Sequence, residues 1–192
     1  MKKKKQTKEK NNISIIPSKK ENKVLLKIEN ASYRYKDAKK DEYAIKNINY
    51  EFEQGKTYAI KGRSGSGKTT LLSLISGLER CCEGRIIFNH KDLNQINLDT
   101  YRNHEIGIVF QSYNLLPFMS TIENIILSMD ISGIKIEEKK KRALELMEQV
   151  GLKESYTTRK ILKLSGGEQQ RVAIARSLSY CPKMIITDEP TG

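Results

Sequence analysis

The stretch Gly62-Arg63-Ser64-Gly65-Ser66-Gly67-Lys68-Thr69-Thr70 constrains this chain more than any other. It fits Gly-x-x-x-x-Gly-Lys-[Ser/Thr], a loop that wraps phosphate when it stands between a strand and a helix. Residues 56–61 ahead of it are β-branched and aromatic-rich and read as a strand. Residues 70–77 behind it read as a helix ending at Gly77. Glycines let the backbone turn tightly and bring its N–H groups up to an anion. The following helix adds unpaired donors and the positive end of its dipole. Lys68 can reach the β- and γ-phosphates, and the Thr69 hydroxyl can ligate Mg²⁺. The competing reading, a Gly/Ser turn with an incidental lysine, leaves the flanking strand and helix unexplained.

At 192 residues the chain is long enough for one sizeable core, with room for a subdomain. Its net charge of +12 is uneven: residues 1–23 hold nine Lys and two Glu, seven of the twelve charges. Such a run is expected to be a solvated, disordered basic tail. Contact with anionic lipid stays open. No aromatic residue interrupts the tail, so bases find no stacking platform there and no nucleic-acid partner is expected. No apolar run approaches the roughly 18 residues of a membrane span, and no signal-peptide core is present, which predicts a soluble, cytosolic protein. Cys81 and Cys82 are adjacent and Cys181 is remote, matching neither a zinc spacing nor a disulfide framework. Free thiols are expected.

Along the chain, residues 24–30 read as a strand leading to Tyr33 and Tyr35, and a polar turn follows over 36–42. Ile48, Tyr50 and Phe52 alternate with Asn49, Glu51 and Glu53, the period of a half-buried strand. Residues 85–88 form a further strand, 89–92 a turn and 98–103 a short helix. Residues 106–110 form a buried strand with Gln111 at its carboxyl end, where open α/β sheets place their ligands. Ser120 or Thr121 caps one helix, and another spans 137–150 and stops at Gly151. Leu164-Ser165-Gly166-Gly167-Glu168-Gln169-Gln170-Arg171 then opens a strong helix, and its bare Ser-Gly-Gly start is a second candidate anion site. A strand over 184–187 ends in Asp188-Glu189. Asp188 suits a metal carboxylate beside a phosphate loop, and Glu189 can orient or deprotonate water. Adjacent acids alone read equally as a solvated turn; the phosphate loop is what turns them into a site.

The phosphate loop, Gln111, the Leu164-Ser165-Gly166-Gly167 motif and the strand ending at Asp188-Glu189 occur in an order that resembles the ATP-binding cassette of ABC transporters. The likeness runs from about Val24 to Gly192, and Val109-Phe110-Gln111-Ser112-Tyr113-Asn114-Leu115-Leu116-Pro117 is similar to the lipoprotein-release and macrolide/peptide-exporter branch. The resemblance implies an α/β fold of the P-loop NTPase type, a mixed-sheet core with an antiparallel β subdomain and an inserted helical subdomain. Its implied parts are a tail over 1–23, core with β subdomain over 24–111, helical subdomain over 112–163, and signature helix with the acidic strand over 164–192. Tyr35, with Tyr33 a close competitor, would stack on adenine. Gly62, Ser64, Gly65, Ser66, Gly67, Lys68, Thr69 and Thr70 would hold ATP. Thr69, Gln111 and Asp188 would serve Mg²⁺, and Glu189 would be the general base. Ser165, Gly166 and Gly167 would complete the ATP site of a second cassette in a head-to-tail homodimer. The implied partners are separate transmembrane permease subunits, and the implied location is the inner face of the cell membrane.

The same resemblance shows departures. A lysine-bearing stretch, 160–163, stands where the family often has a proline before the signature motif. The family pattern continues past Pro190-Thr191-Gly192 into a further strand and a switch histidine. His90 and His104 both precede the signature motif and match no such position. These features lead to the expectation that this polypeptide alone is a fragment or truncated product with little ATPase activity. Two alternatives stand beside the transporter ATPase: a cassette that binds nucleotide without turnover, and a non-transport cassette acting on nucleic acid.

Overall fold

The computed structural model describes residues 14–17, 23–39, 41–133, 135 and 137–188, in two units, Met1–Ile96 and Asn97–Gly192. In the first unit, β1 (Ser14–Pro17) pairs antiparallel with β4 (Tyr58–Lys61). A four-stranded antiparallel sheet runs in the order β3 (Ile45–Glu53), β2 (Val24–Tyr33), β5 (Glu83–Phe88), β6 (Lys91–Asp92). Helix α1 (Lys68–Ile75) follows β4 through the glycine loop.

Period two decides which side chains the sheet buries. Leu26 and Ile28 of β2 lie in the core with Ile86 and Phe88 of β5, while Lys27, Glu29, Glu51 and Arg85 form an ion-pair lattice on the outside. The register slips between Ile28 and Ala31, at left-handed Asn30, and burial then passes to the neighbouring residues Ala31 and Ser32. The alternation read along 48–53 is present. Tyr50 and Phe52 meet edge-to-face at 4.9 Å, and Phe52 meets Tyr58 at 5.0 Å, which docks the start of β4 against β3. Leu71, Leu74 and Ile75 of α1 complete the unit's buried apolar set.

Two readings need correction here. The disorder expected of residues 1–23 does not hold at Ser14–Pro17, which form a strand. Ile15 and Ile16 favour extended backbone, and β4 offers an edge whose backbone groups need partners. Lys23 is exposed, and the rest of that tail lies outside the described residues. The turn expected over 89–92 is a tight hairpin: Asn89 and His90 take left-handed φ of 45° and 66°, and Lys91–Asp92 then form β6. Cys81, Cys82 and Cys181 are free thiols, and burial pushes the Cys81 thiol up to about 11.

The second unit contains α2 (Leu98–His104), β7 (Ile106–Val109), α3 (Thr121–Ser132), α4 (Lys139–Gln149), α5 (Gly166–Leu178) and β8 (Met184–Thr187). Strands β7 and β8 pair in parallel, Val109 opposite Thr187. Helices α3, α4 and α5 enclose a core built on Ile125, Met129, Leu146, Met147 and Val172, each at most 1% exposed. Gly107 is where α5 presses on β7: a Cβ there would lie 2.6 Å from the Ser177 carbonyl oxygen. No helix among the described residues is long and apolar enough to cross a membrane.

Capping fixes where these helices start. Ser120, not Thr121, caps α3: its hydroxyl accepts the Glu123 N–H while the Glu123 carboxylate accepts the Ser120 N–H. Helix α5 repeats this pattern with Ser165 and Glu168, at 3.4 Å and 2.7 Å. The backbone hydrogen bond from Ser165 holds the Glu168 carboxyl below its ordinary value.

Two outcomes follow. Leu146→Ala should cost about 2–5 kcal/mol in chemical denaturation, the range for emptying a closed aliphatic site. Because the folded-state pKa of Glu168 is depressed, its stabilising contribution is complete above the ordinary glutamate range and is lost as pH falls through the lowered value. Thermal melts of Glu168→Gln should therefore lose part of the acid-side slope seen in the parent between about pH 5 and pH 3.

Candidate functional site

The phosphate loop keeps its donors free through the residues it lacks. Gly67 stands at the N-cap of α1 with φ 94°, no side chain caps the helix, and its first turn holds no acid. A Cβ on Gly67 would come within 2.7 Å of the Ala44 carbonyl oxygen, so glycine is required for space as well as for backbone angle. The first N–H groups of α1 thus face outward without a competing side chain. Gly62, Ser64 and Gly65 are exposed along the rim, whereas Ser66 is 7% exposed and its hydroxyl has no hydrogen-bond partner. An orphaned buried hydroxyl beside a bare helix start fits a phosphate oxygen.

Lys68 arches over the loop, its ammonium donating to the Gly62 carbonyl at 3.0 Å and the Arg63 carbonyl at 3.1 Å. The two threonines differ. The Thr70 hydroxyl is buried and bonded to the Tyr35 hydroxyl at 2.8 Å, while Thr69 is exposed. Tyr35 is itself 52% exposed and stands edge-on to Tyr33, with centroids 5.1 Å apart. Tyr33 is less accessible, and burial together with a hydrogen bond to Glu79 raises its phenol pKa. Tyr35 therefore presents an accessible ring tethered to the phosphate-loop helix.

The second unit brings Gln111 and Asp188 to one edge. Val109 and Thr187 are register partners at the carboxyl ends of β7 and β8, and the Asp188 N–H donates to the Val109 carbonyl at 3.1 Å. Gln111 lies two positions beyond Val109 and is exposed, and Asp188 lies one position beyond Thr187. Parallel pairing thus puts both residues just past the carboxyl ends of two neighbouring strands. Glu189, the expected general base, lies outside the described residues.

Ser165, Gly166 and Gly167 are exposed at the start of α5. The capping box occupies the Ser165 and Glu168 amides and leaves those of Gly166 and Gly167. No heavy atom lies within 4 Å of a Cβ built on Gly166, so this backbone can be approached closely. Since the Ser165 hydroxyl accepts from Glu168, its own proton points elsewhere. The Ser165-x-x-Glu168 spacing was a legible capping signal that the anion-site reading overlooked. Arg176, in the same helix, is a second residue missed: its guanidinium donates to the Asn114 and Tyr113 carbonyls in the loop after Gln111. No sequence pattern announces that contact.

The ABC transporter family model matches residues 45–192. The ABC transporter ATP-binding protein YclH of Bacillus subtilis is 43% identical over 168 residues, covering 88% of this chain and 74% of that protein. The ABC transporter ATP-binding protein MJ0796 of Methanocaldococcus jannaschii is 39% identical over 174 residues, again covering 88% and 74%. A dimeric MJ0796 cassette in a post-hydrolysis state bound to ADP and Pi superposes with a TM-score of 0.76 at 36% identity, over 87% of this chain and 75% of that one. The structure of cbiO1 from Clostridium perfringens, part of the ABC transporter complex cbiONQ, superposes with a TM-score of 0.73 at 30% identity, over 88% of this chain and 66% of that one. The phosphate cradle, the strand-end amide and carboxylate, and these likenesses agree: the chain belongs to the ABC transporter family, as an ATP-binding cassette of the P-loop α/β class and an ATPase.

Proposed function

We propose that this cassette powers export or release of a substrate through separate transmembrane subunits, working as a head-to-tail pair that encloses two ATP molecules. The bare, left-handed start of α1 beneath Lys68 is the observation that carries the nucleotide reading, because it offers backbone donors and a cation to one anion. The dimeric arrangement of the MJ0796 cassette supports the pairing. The exporter-like wording around Gln111 supports the direction of transport. In this reading residues 24–111 carry the nucleotide-binding core with its β subdomain, 112–163 the helical subdomain turned toward a membrane subunit, and 164–192 the signature helix and acidic strand.

Each residue then has a task. Lys68 exchanges the Gly62 and Arg63 carbonyls for the β- and γ-phosphates, and Ser66 donates its unpartnered hydroxyl to a phosphate oxygen. Tyr35 stacks on adenine. Thr69, Gln111 and Asp188 would serve Mg²⁺, which when bound would neutralise phosphate charge. Gln111 orients the attacking water and Glu189 accepts its proton. Ser165, Gly166 and Gly167 serve the partner's nucleotide through the hydroxyl proton and the two amides left outside the capping box. ATP can drive transport only by favouring the closed pair over the open one, and groups contributed by both protomers supply that difference.

Two variants in the assembled transporter separate binding from turnover. Lys68→Ala should weaken ATP binding by about 10- to 100-fold, the loss of a charge-assisted contact. Glu189→Gln should keep ATP affinity within about twofold and cut hydrolysis by about 10²–10⁴-fold. Unchanged ATP affinity in Lys68→Ala would dismiss the phosphate cradle; wild-type hydrolysis by Glu189→Gln would dismiss the base.

A further inference from the structure

The turn that follows Gln111 adopts a backbone its side chains do not favour. Tyr113 and Asn114 both lie in the left-handed region, at φ 59° and 47°. Asparagine tolerates that region, but for a tyrosine it is an outlier that persists only when the surroundings hold it. Part of the hold is local: the Tyr113 N–H donates to the Phe110 carbonyl at 2.9 Å and the Asn114 N–H to the Ser112 carbonyl at 2.7 Å. The Ser112 hydroxyl donates to the Asn114 side-chain oxygen at 2.8 Å. None of these bonds reaches beyond the turn itself.

The remaining hold comes from α5. Arg176 donates one guanidinium nitrogen to the Asn114 carbonyl at 2.6 Å and the other to the Tyr113 carbonyl at 2.7 Å. Its hydrogen-bond partners are these two neutral carbonyls, and no carboxylate pairs with it among the described residues. Burial pushes its pKa below the ordinary arginine value. Arg176 is half-buried, and a planar fork across two consecutive carbonyls is what arginine alone supplies. The helix that carries Arg176 also begins with Ser165 and lies directly on β7 at Gly107, the strand that leads to Gln111. One rigid element therefore touches the signature motif at its start and the Gln111 turn near its end.

We propose that Arg176 is a positioning residue for hydrolysis: by gripping the Tyr113 and Asn114 carbonyls it fixes the turn that aims Gln111, in register with the helix that presents Ser165. The proposal rests on the reading of Gln111 as the residue that orients the attacking water. Loss of the fork lets the turn relax toward ordinary backbone angles, and the Gln111 amide loses its fixed direction without any change in the phosphate loop. The penalty falls on turnover and leaves nucleotide affinity in place.

Arg176→Lys keeps the charge but cannot span both carbonyls, and Arg176→Ala removes both charge and fork. Hydrogen exchange and steady-state kinetics on the assembled transporter provide independent readouts. In Arg176→Lys, exchange at residues 112–116 should rise about tenfold or more while the α3 and α4 core stays protected. The kcat for ATP should fall about tenfold with ATP affinity within about twofold. In a Gln111→Ala background, Arg176→Lys should cause no further loss of kcat, because the two act in one path. Unchanged exchange at 112–116 in both Arg176 variants would overturn the proposal, as would faster exchange with unchanged kcat. Losses that multiply in the double variant would overturn the route through Gln111. If Gln111→Ala alone leaves kcat unchanged, the Gln111 reading fails, and the exchange data still decide whether Arg176 fixes the turn.

Discussion

An α-helix cannot satisfy its own first N–H groups, and the way each long helix here meets that deficit organises the molecule. Helix α3 closes it with the Ser120–Glu123 box and with the Arg159 and Thr157 carbonyls, which accept the Thr121 and Ile122 N–H groups. Helix α5 closes half of it with Ser165 and Glu168 and leaves two glycine amides outside. Helix α1 closes none of it with a side chain, because Gly67 can have no Cβ against the Ala44 carbonyl. A bare start is not by itself distinctive, since α4 also begins without a side-chain cap; what sets α1 apart is the left-handed glycine loop that leads into it. Around the bare helix, β4 supplies the entry strand, Ala44 just ahead of β3 forms a wall, and the Tyr35 hydroxyl is bonded to that of Thr70.

Magnitudes assign stability and function to different groups. The lattice of Lys27, Glu29, Glu51 and Arg85 is exposed, where water screens it, so it serves solubility and register more than stability. Fully buried Leu26, Ile28, Met129, Leu146 and Met147 contribute about 1.5–3 kcal/mol each, and such apolar burial stabilises each unit's own core. The site groups add little of this kind. Ser66 is unpartnered, Thr69 is exposed, and Tyr113 has an unfavourable backbone, so the functional edge is held by its surroundings.

What the sequence made legible follows from the reach of each signal. Strands β2, β3, β7 and β8 and helices α1, α3, α4 and α5 stand where period and capping residues put them, since those signals are local. Helix α4 starts at Lys139 instead of Glu137 and ends at Gln149, the usual looseness of helix ends. Strand β1 was hidden by the lysines around Ile15 and Ile16, because composition averages over a window wider than four residues. The left-handed pair at Tyr113 and Asn114, and the arginine that holds it, come from residues 62 and 63 positions apart in sequence. No local pattern carries such information. For the site, residue types and spacing marked Lys68, Thr69, Gln111 and Asp188 as candidates, and the resemblance favoured Tyr35 with Tyr33 a close competitor. The structure adds how each pair differs: the Tyr35 and Thr70 hydroxyls are bonded to each other while Thr69 is exposed, and Tyr35 is the more accessible ring.

The lysine at the crown of the loop has one more implication. Its ammonium is already bonded to the Gly62 and Arg63 carbonyls, so a phosphate must win it from two peptide dipoles and not merely from water. Binding is then a trade of acceptors, and the net gain is smaller than the bare charge suggests. In the role proposed for Lys68, the same two carbonyls would take the cation back when the γ-phosphate departs, so the peptide groups that temper the grip on ATP would also ease the release of ADP.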